Sequence, residues 1–394
     1  MRNWALVGLA LIVTFPALAL RISRQHPDPI AAAIIFGVAI VGAAFILSWA
    51  AEAIQVDISQ GLAIALLALI TVLPEYSVDL YFAWEAGKRP EYAAYAAANM
   101  TGANRLLIGF GWSVVVLLFW LKSRRPALEL EAKHSMELAV LGVAALYGLS
   151  IFVKGSIHWI DSIVLIGLFG YYLWGHSRGS VEEPELMGPS ASLASLPAKS
   201  RRTLVGLLAA FSAAVILASA EPFANGLVET GKGLGIDEFI LVQWIAPLAS
   251  EAPEIIIASL FALRNAPTVG ISAIISATVN QWTLLIGCIP LVYSASLGAL
   301  SGLPLDERQS FEVFLTAAQA IAAVVLVSRL LVSVQTASLL FVLFFTQLWF
   351  PGHQVRLGFS ILYLAIAFLL LAFSKERRTG AGGLISSLFS QNRH

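Results

Sequence analysis

Twelve apolar segments, each close to the length that a helix needs to cross a bilayer, follow one another along the chain. They lie at about 4–20, 31–54, 61–84, 92–121, 137–153, 158–175, 203–227, 238–263, 269–298, 309–328, 331–350 and 357–374. A helix needs about 20 residues to span the bilayer. Lipid cannot hydrogen-bond to the backbone, so a spanning segment must pair its own N–H and C=O groups, as a helix does. Only 12% of the residues are charged, against about 25% in soluble domains. The sequence therefore predicts an all-α polytopic membrane protein with about 11–12 helices.

Several functional classes are excluded by what the sequence lacks. Cys288 is the only cysteine, which rules out a disulfide and a thiolate metal cluster. The chain contains no phosphate-binding loop, dinucleotide fingerprint or His-Glu-x-x-His pattern. We therefore expect neither an enzyme nor a cofactor, and no nucleic-acid partner. The expected partners are inorganic cations and the lipid bilayer, with transport driven by an ion gradient.

Polar stretches divide the chain into parts. Residues 1–25 are interpreted as an extra N-terminal transmembrane helix, with a signal peptide ending near Ala17-Leu18-Ala19 as the alternative. The ranges 26–175 and 203–374 would be two repeats, joined by a solvated cytoplasmic linker at 176–202. A cytoplasmic tail at 375–394 would be disordered, apart from an amphipathic patch at 384–389. Most Lys and Arg residues fall on the side that holds the N-terminus. We therefore expect a protein of the cell membrane with both termini in the cytoplasm.

Two of the apolar segments carry a Pro-Glu step, Pro74-Glu75 and Pro253-Glu254. A carboxylate at bilayer depth is unfavourable, and proline removes a backbone hydrogen bond and is expected to break the helix. Two such steps in corresponding places of two halves are typical of a transporter with broken helices at the membrane midplane.

The surroundings of the two steps indicate an internal repeat. Each glutamate lies 19 residues after a helix opening, Val56-Asp57-Ile58 or Gly235-Ile236-Asp237. Each repeat also contains Leu-Leu-Ile-Gly, at 106–109 and 284–287, shortly after an asparagine. Five segments separate 31–54 from its counterpart 203–227. An odd number inverts the second repeat, so we expect two inverted repeats of about five helices each.

The side chains of these segments fit a hard cation. Prolines free carbonyl groups one turn back, near Ala68–Thr71 and near Pro247–Ser250. Oxygen ligands suit Na⁺ or Ca²⁺, and Ca²⁺ takes six to eight of them. Two glutamates neutralise one Ca²⁺, and the same carboxylates bind protons when they lose solvent. Further oxygens would come from four side chains: Thr71, Ser250, Asn104 and Asn280.

Arg105 favours an alternative in which the glutamates are structural and pair with a basic residue. A lone arginine at membrane depth usually pairs with an acid. Asp79 lies one turn after Glu75, and Glu251 lies just before Glu254. We expect Arg105 to pair with Asp79 or Glu251, which leaves the two glutamates for cations or protons. Glu52 and Glu221 lie nearer the helix ends and are expected at the membrane interface.

These residues resemble the cation/Ca²⁺ antiporter superfamily, whose members exchange Ca²⁺ for Na⁺ or H⁺. The repeats of that family carry Gly-Thr-Ser-Leu-Pro-Glu on one helix and Gly-Asn-x-x-Gly-Ser-Asn on the next. The first repeat here reads Ile-Thr-Val-Leu-Pro-Glu at 70–75 and Ala-Asn-Met-Thr-Gly-Ala-Asn at 98–104. The second reads Ala-Ser-Glu-Ala-Pro-Glu at 249–254 and Ser-Ala-Thr-Val-Asn at 276–280.

The resemblance implies a site with paired glutamates and a shell of oxygen ligands. By position, Glu75 and Glu254 are the cation-binding carboxylates. The other residues that the resemblance implies as ligands are Thr71, Ala68, Ser250, Pro247, Asn104 and Asn280. Accessory proton carriers or charge partners would be Glu251, Asp79, Arg105, Asn99 and Ser276.

The chain also departs from the family pattern. Ile70 and Val72 replace a glycine and a serine, and Glu251 replaces a serine. Aligning Leu-Leu-Ile-Gly places Trp282 or Thr283, instead of Asn280, opposite Asn104. Fewer hydroxyl ligands and one more carboxylate favour H⁺ over Na⁺ as the counter-ion.

Three functions are compatible with the sequence. The first is a secondary antiporter that exchanges Ca²⁺ for H⁺ or Na⁺ by alternating access. The second is a Na⁺/H⁺ antiporter that does not move Ca²⁺, in which Arg105 offsets one charge of the site. The third is a membrane scaffold of the same fold that transports nothing.

Overall fold

Helices dominate the part of the chain that the computed structural model describes, which is residues 2–57, 72–176, 186–350 and 352–390. The helices are α1 Arg2–Ile12, α2 Phe15–Ser23, α3 Pro29–Ile54, α4 Leu73–Ala86, α5 Tyr92–Leu106, α6 Ser113–Ser123, α7 His134–Lys154, α8 Trp159–His176, α9 Pro189–Ala194, α10 Ala198–Leu234, α11 Glu238–Leu263, α12 Pro267–Asn280, α13 Ile286–Leu297, α14 Glu307–Val327, α15 Val334–Leu348, α16 His353–Phe373 and α17 Lys375–Ser390. A 3₁₀ turn, Gln55–Asp57, extends α3, and π-helical segments follow α5 (Leu107–Trp112) and α12 (Gln281–Leu285).

Nine helical stretches among the described residues are long and apolar enough to cross a membrane. Large apolar side chains on their outer faces are exposed, Ile34 and Leu217 among them, as expected of surfaces that contact lipid. Of the other predicted spans, 158–175 is the 18-residue helix α8, and 331–350 is the 15-residue helix α15 preceded by a short strand. The predicted span at 61–84 begins outside the described residues, and its described part is α4.

The chain divides into two compact units that each take residues from both halves of the sequence. Unit 1 comprises Met1–Phe82 and His176–Pro253, and unit 2 comprises Ala83–Gly175 and Glu254–His394. The unit boundaries cut through α4 and α11, which are the two helices that carry the Pro-Glu steps.

Unit 1 is built on the pair of long helices α3 and α10, which run antiparallel. At one end, Arg201 of α10 holds Asp57 with two hydrogen bonds of 2.6 and 2.7 Å. At the other end, Gly226 of α10 lies against the first turn of α3, where a Cβ would come within 2.7 Å of the Ala33 nitrogen. These helices correspond to the segments 31–54 and 203–227. Their opposite directions are those expected of inverted counterparts.

The N-terminal segment folds as the helices α1 and α2, and α2 contacts α10 at a proline. Pro222 lies inside α10 and cannot donate a hydrogen bond to the carbonyl of Ala218. Arg21 of α2 supplies that donor at 2.8 Å and pairs with the half-exposed Glu221 at 2.7 Å. Arg21, Glu221 and Pro222 border a cavity of about 440 Å³. A charged side chain therefore satisfies the carbonyl that the proline leaves open.

Unit 2 is organised around α14, which packs against α5, α7 and α16. Asp306 begins this helix with a capping box that includes Gln309. Two short antiparallel strand pairs join loops of unit 2. Ala127–Glu129 pairs with Leu331–Ser333, and Ser156–Ile157 pairs with Leu303–Pro304.

Two polar segments contain structure that their composition does not indicate. Within the predicted linker, Ser190 and Leu193 of α9 are buried in unit 1. The predicted disordered tail is the helix α17, whose Arg377 donates to the carbonyl of Leu326 and whose Glu376 pairs with Arg329. In both segments a few apolar or charged contacts outweigh a polar composition that disfavours burial.

The predicted break at Pro253 is also absent. Helix α11 continues through Pro247 and Pro253 to Leu263. Pro253 lacks an N–H, so the carbonyl of Ala249 does not receive the usual donor from position 253. The second Pro-Glu step therefore changes the hydrogen bonding of α11 without ending the helix. In the first repeat, Pro74 is the second residue of α4, a position where the missing N–H costs nothing.

The close approach of α3 and α10 generates a test of unit 1. We expect Gly226→Ala to destabilise the protein by about 1–3 kcal/mol, because the new methyl group would overlap backbone atoms of α3. Gly206→Ala is the matched control, since Gly206 lies on the same helix with no atom within 4 Å. Thermal unfolding of the detergent-solubilised variants measures the difference. A Gly226→Ala protein that unfolds at no lower a temperature than the Gly206→Ala protein would contradict the close packing of α10 against α3 at Gly226.

Candidate functional site

The predicted site residues that lie in unit 1 include acids and a hydroxyl group on α4 and α11. On α4, Glu75 and Asp79 are one turn apart and are 4% and 0% exposed. On α11, Ser250 and Glu251 are buried, and the Ser250 hydroxyl donates to the carbonyls of Ala246 and Pro247 at 3.4 and 3.3 Å. The lone pairs of that hydroxyl stay available to a cation. The predicted ligands Ala68 and Thr71 lie outside the described residues.

The predicted site residues that lie in unit 2 include Glu254 and three buried asparagines. Glu254 is partly exposed, whereas Asn99, Asn104 and Asn280 are at most 3% exposed. The Asn104 amide donates to the carbonyl of Met100 at 2.9 Å. Among the described residues, nothing bonds to the Asn104 side-chain oxygen or to either amide atom of Asn99. Buried amide oxygens that accept no hydrogen bond suit a hard cation, because the cation can take the place of the missing donor.

A π-helical segment follows the asparagine helix in both repeats. The first begins three residues after Asn104 and the second begins directly after Asn280. Such segments are rare and occur frequently at functional sites. Thr283, an alternative counterpart of Asn104, lies in the second segment and donates to the carbonyl of Val279 at 2.6 Å. Trp282, the other alternative, is buried beside it.

Arg105 makes an ion pair that the sequence analysis did not foresee. Its guanidinium lies 2.6 Å from the carboxylate of Glu312 on α14, and Arg356 of α16 pairs with the same carboxylate. Arg105 is 2% exposed and Glu312 is fully buried. The prediction that Arg105 pairs with Asp79 or Glu251 was therefore wrong. Both of those acids belong to unit 1, whereas Arg105 and Glu312 belong to unit 2.

The sequence did carry a signal for Glu312. It is an acid inside the predicted span 309–328, and an ionisable residue within a span indicates a function or a charged partner. The prediction missed Glu312 because it considered only acids near the Pro-Glu steps. Gln319, two turns further along α14, shows no comparable signal in the sequence. Its amide donates to the backbone carbonyl of Arg105 at 3.4 Å.

Ser276 belongs to a buried network of unit 2 that also includes ionisable groups. Its hydroxyl lies 2.5 Å from the Tyr172 hydroxyl, which donates to Glu137 at 3.4 Å. Glu137 in turn lies 2.7 Å from a ring nitrogen of His134. The network ties α7 and α8 to α12, the helix that ends with Asn280. Ser276 is thus engaged by neighbouring helices one turn before that asparagine.

The described residues offer carboxylate, amide, hydroxyl and carbonyl oxygens, and no group of three His, Cys, Asp or Glu side chains among them converges as a metal cluster. Such an oxygen set favours Ca²⁺ or Na⁺ over transition metals. Carboxylates at membrane depth also hold protons when no cation is bound. Groups of this kind can bind a cation or protons in turn.

Comparison with known structures agrees with this chemistry. The chain is 41% identical to a protein whose structure is described as the crystal structure of the H⁺/Ca²⁺ exchanger CAX. The match has a TM-score of 0.95 and covers 100% of this chain and 99% of that chain. No curated protein sequence matches the chain.

More distant structures share the fold. Native YfkE matches at 14% identity and a TM-score of 0.61, over 92% of this chain and 100% of that chain. The sodium-calcium exchanger NCX_Mj, soaked with 2.5 mM Na⁺ and 10 mM Sr²⁺, matches at 15% identity and a TM-score of 0.51, over 94% of this chain and 100% of that chain.

A family model described as sodium/calcium exchanger protein matches residues 29–177 and 204–374. Together with the full-length structural match, this confirms the predicted fold class, an all-α membrane protein with two inverted repeats. The chain belongs to the sodium/calcium exchanger protein family.

Proposed function

We propose that the protein is a secondary-active antiporter that exchanges Ca²⁺ for H⁺, with Glu75 and Glu254 as the paired carboxylates of its cation site. The observation that carries the proposal is the full-length match, at 41% identity, to a protein described as an H⁺/Ca²⁺ exchanger. Both Pro-Glu steps fall inside the residues that match the family model.

Charge balance explains how such a pair of carboxylates exchanges ions. Two glutamates neutralise one Ca²⁺, so the loaded site carries no net charge into the membrane. When Ca²⁺ leaves, the carboxylates take up protons, because an ionised carboxylate at membrane depth is unfavourable. Each half-cycle then moves a neutral site, and the two ions exclude each other.

Other oxygens complete the proposed coordination of Ca²⁺. The Ser250 hydroxyl, the Asn104 and Asn280 side chains and the Pro247 carbonyl are the described candidates, with Thr71 and Ala68 assigned by resemblance alone. The Ala249 carbonyl, which Pro253 leaves without an intrahelical donor, is a further candidate. Asn99, Asp79, Glu251 and Ser276 are proposed as accessory groups near the site.

The pairing of Arg105 bears on the choice between candidate functions. A Na⁺/H⁺ antiporter required Arg105 to offset one charge of the site. Its ion pair with Glu312 gives that guanidinium a different carboxylate. Arg105 therefore has no need to offset a charge of the cation site, which was the argument for a Na⁺/H⁺ antiporter. This supports Ca²⁺ as the transported cation.

The arrangement in the membrane is proposed from the distribution of charge. Most Lys and Arg residues flank the predicted spans on the side of the N-terminus. This distribution places both termini on the cytoplasmic side of an inner or plasma membrane. The two repeats are assigned to 26–175 and 203–374, with residues 1–25 as an additional helix, 176–202 as the connecting segment and 375–394 as the tail.

Ion flux in proteoliposomes tests the proposed function. An imposed pH gradient should drive Ca²⁺ uptake by the wild-type protein, and Glu75→Gln and Glu254→Gln should each abolish it. Glu229→Gln, at an exposed glutamate of α10, is the matched control and should transport normally. Na⁺-driven pH change without Ca²⁺ movement would favour a Na⁺/H⁺ antiporter, and no cation flux at all would favour a scaffold.

Proton release on Ca²⁺ binding tests the counter-ion separately. If Ca²⁺ displaces protons from the two carboxylates, the binding heat of the solubilised protein should depend on the ionisation enthalpy of the buffer. Isothermal titration in two buffers of equal pH measures the number of protons released. We expect the release of about one to two protons per Ca²⁺, because the proposed site contains two carboxylates. Identical heats in both buffers would contradict H⁺ as the counter-ion.

A further inference from the structure

Helix α14 holds Arg105 in two independent ways. Glu312 binds its guanidinium at 2.6 Å, and Gln319 donates to its backbone carbonyl at 3.4 Å. Glu312 and Gln319 are seven residues apart, so they lie on one face of α14, and both are fully buried. Arg105 directly follows Asn104. One helix thus fixes both the side chain and the backbone of the residue next to a proposed ligand.

The backbone contact lies at the start of an irregular segment. The π-helical stretch Leu107–Trp112 begins two residues after Arg105. Gln319 donates to the Arg105 carbonyl from a neighbouring helix. This contact therefore fixes the backbone immediately before the π segment.

The π segment in turn contacts the helices that carry the other proposed ligands of unit 2. The Trp112 ring nitrogen donates to the Thr278 hydroxyl at 3.3 Å, two residues before Asn280. A Cβ built on Gly111 would lie 3.7 Å from Ile255, the residue after Glu254. A shift of this segment would therefore move groups adjoining Asn280 and Glu254 as well as Asn104.

We propose that Glu312 and Gln319 are positioning residues for cation binding, which act by fixing Arg105 and the π segment. The inference rests on the proposed function, because it concerns the geometry of the same cation site. Neither residue is assigned as a ligand. Outer groups of this kind, which orient ligands, typically change metal affinity by about 10- to 100-fold when they are removed.

Gln319→Met tests the backbone contact, because methionine keeps the length of the side chain but cannot donate. We expect the half-saturating Ca²⁺ concentration of proteoliposome uptake to rise about tenfold, with little change in the maximal rate. Gln347→Met is the matched control. Gln347 is buried on α15, and neither of its amide atoms has a hydrogen-bond partner among the described residues. Equal half-saturation for wild type, Gln319→Met and Gln347→Met would overturn the role of Gln319.

The ion cluster needs a variant that keeps the fold. Changing Glu312 alone leaves two buried guanidinium groups without their carboxylate, which destabilises proteins strongly, whereas replacing all members of a buried cluster by apolar residues is often tolerated. The triple variant Arg105→Met, Glu312→Met and Arg356→Met should therefore insert and unfold like the wild type. We expect its half-saturating Ca²⁺ concentration to rise at least tenfold. A triple variant with wild-type half-saturation would show that the cluster only stabilises the fold, and would overturn its positioning role.

The wild-type protein separates failure of this inference from failure of the proposed function. If wild type moves Ca²⁺ and the variants match it, only the inference fails. If wild type moves Na⁺ but no Ca²⁺, the proposed function fails, and the same half-saturation comparison with Na⁺ decides the inference. If wild type moves neither cation, both are overturned.

Discussion

Polar groups inside a bilayer must find partners within the protein, and this constraint explains several unusual contacts of the structure. Where Pro222 leaves a carbonyl open, Arg21 reaches from a neighbouring helix to bind it. Where a π segment begins after Arg105, Gln319 contacts the carbonyl at the junction. The oxygens of Asn99 and Asn104 form the contrast, because no described residue bonds to them. The unbonded oxygens of Asn99 and Asn104 are therefore available to the proposed cation.

The buried ion cluster follows from the same constraint. A guanidinium at membrane depth requires a carboxylate, and Glu312 serves both Arg105 and Arg356. This arrangement joins three helices, α5, α14 and α16, around one carboxylate in unit 2. Arg105 is thereby paired with an acid that is not one of the proposed cation ligands, although it directly follows the proposed ligand Asn104.

Much of the fold was predictable because membrane spans depend on local properties. Apolar length alone located most helices, and the odd number of segments between 31–54 and 203–227 predicted the antiparallel directions of α3 and α10. Expectations failed where a tertiary contact outweighed local composition. The polar segment around Ser190 is buried, the tail from Lys375 is helical, and α11 continues through Pro253. Composition cannot reveal that a neighbouring surface is available to a segment.

The sequence by itself determined the family, the duplicated Pro-Glu steps and the residue types of an oxygen-rich cation site, because these depend on spacing along the chain. The tertiary structure alone decided which acid Arg105 binds. Asp79 and Glu251 were the candidates nearest to the Pro-Glu steps, but the actual partner is Glu312, more than 200 residues further along the chain. An ion pair in a bilayer depends on distance in space, and only helix packing brings α5 and α14 together.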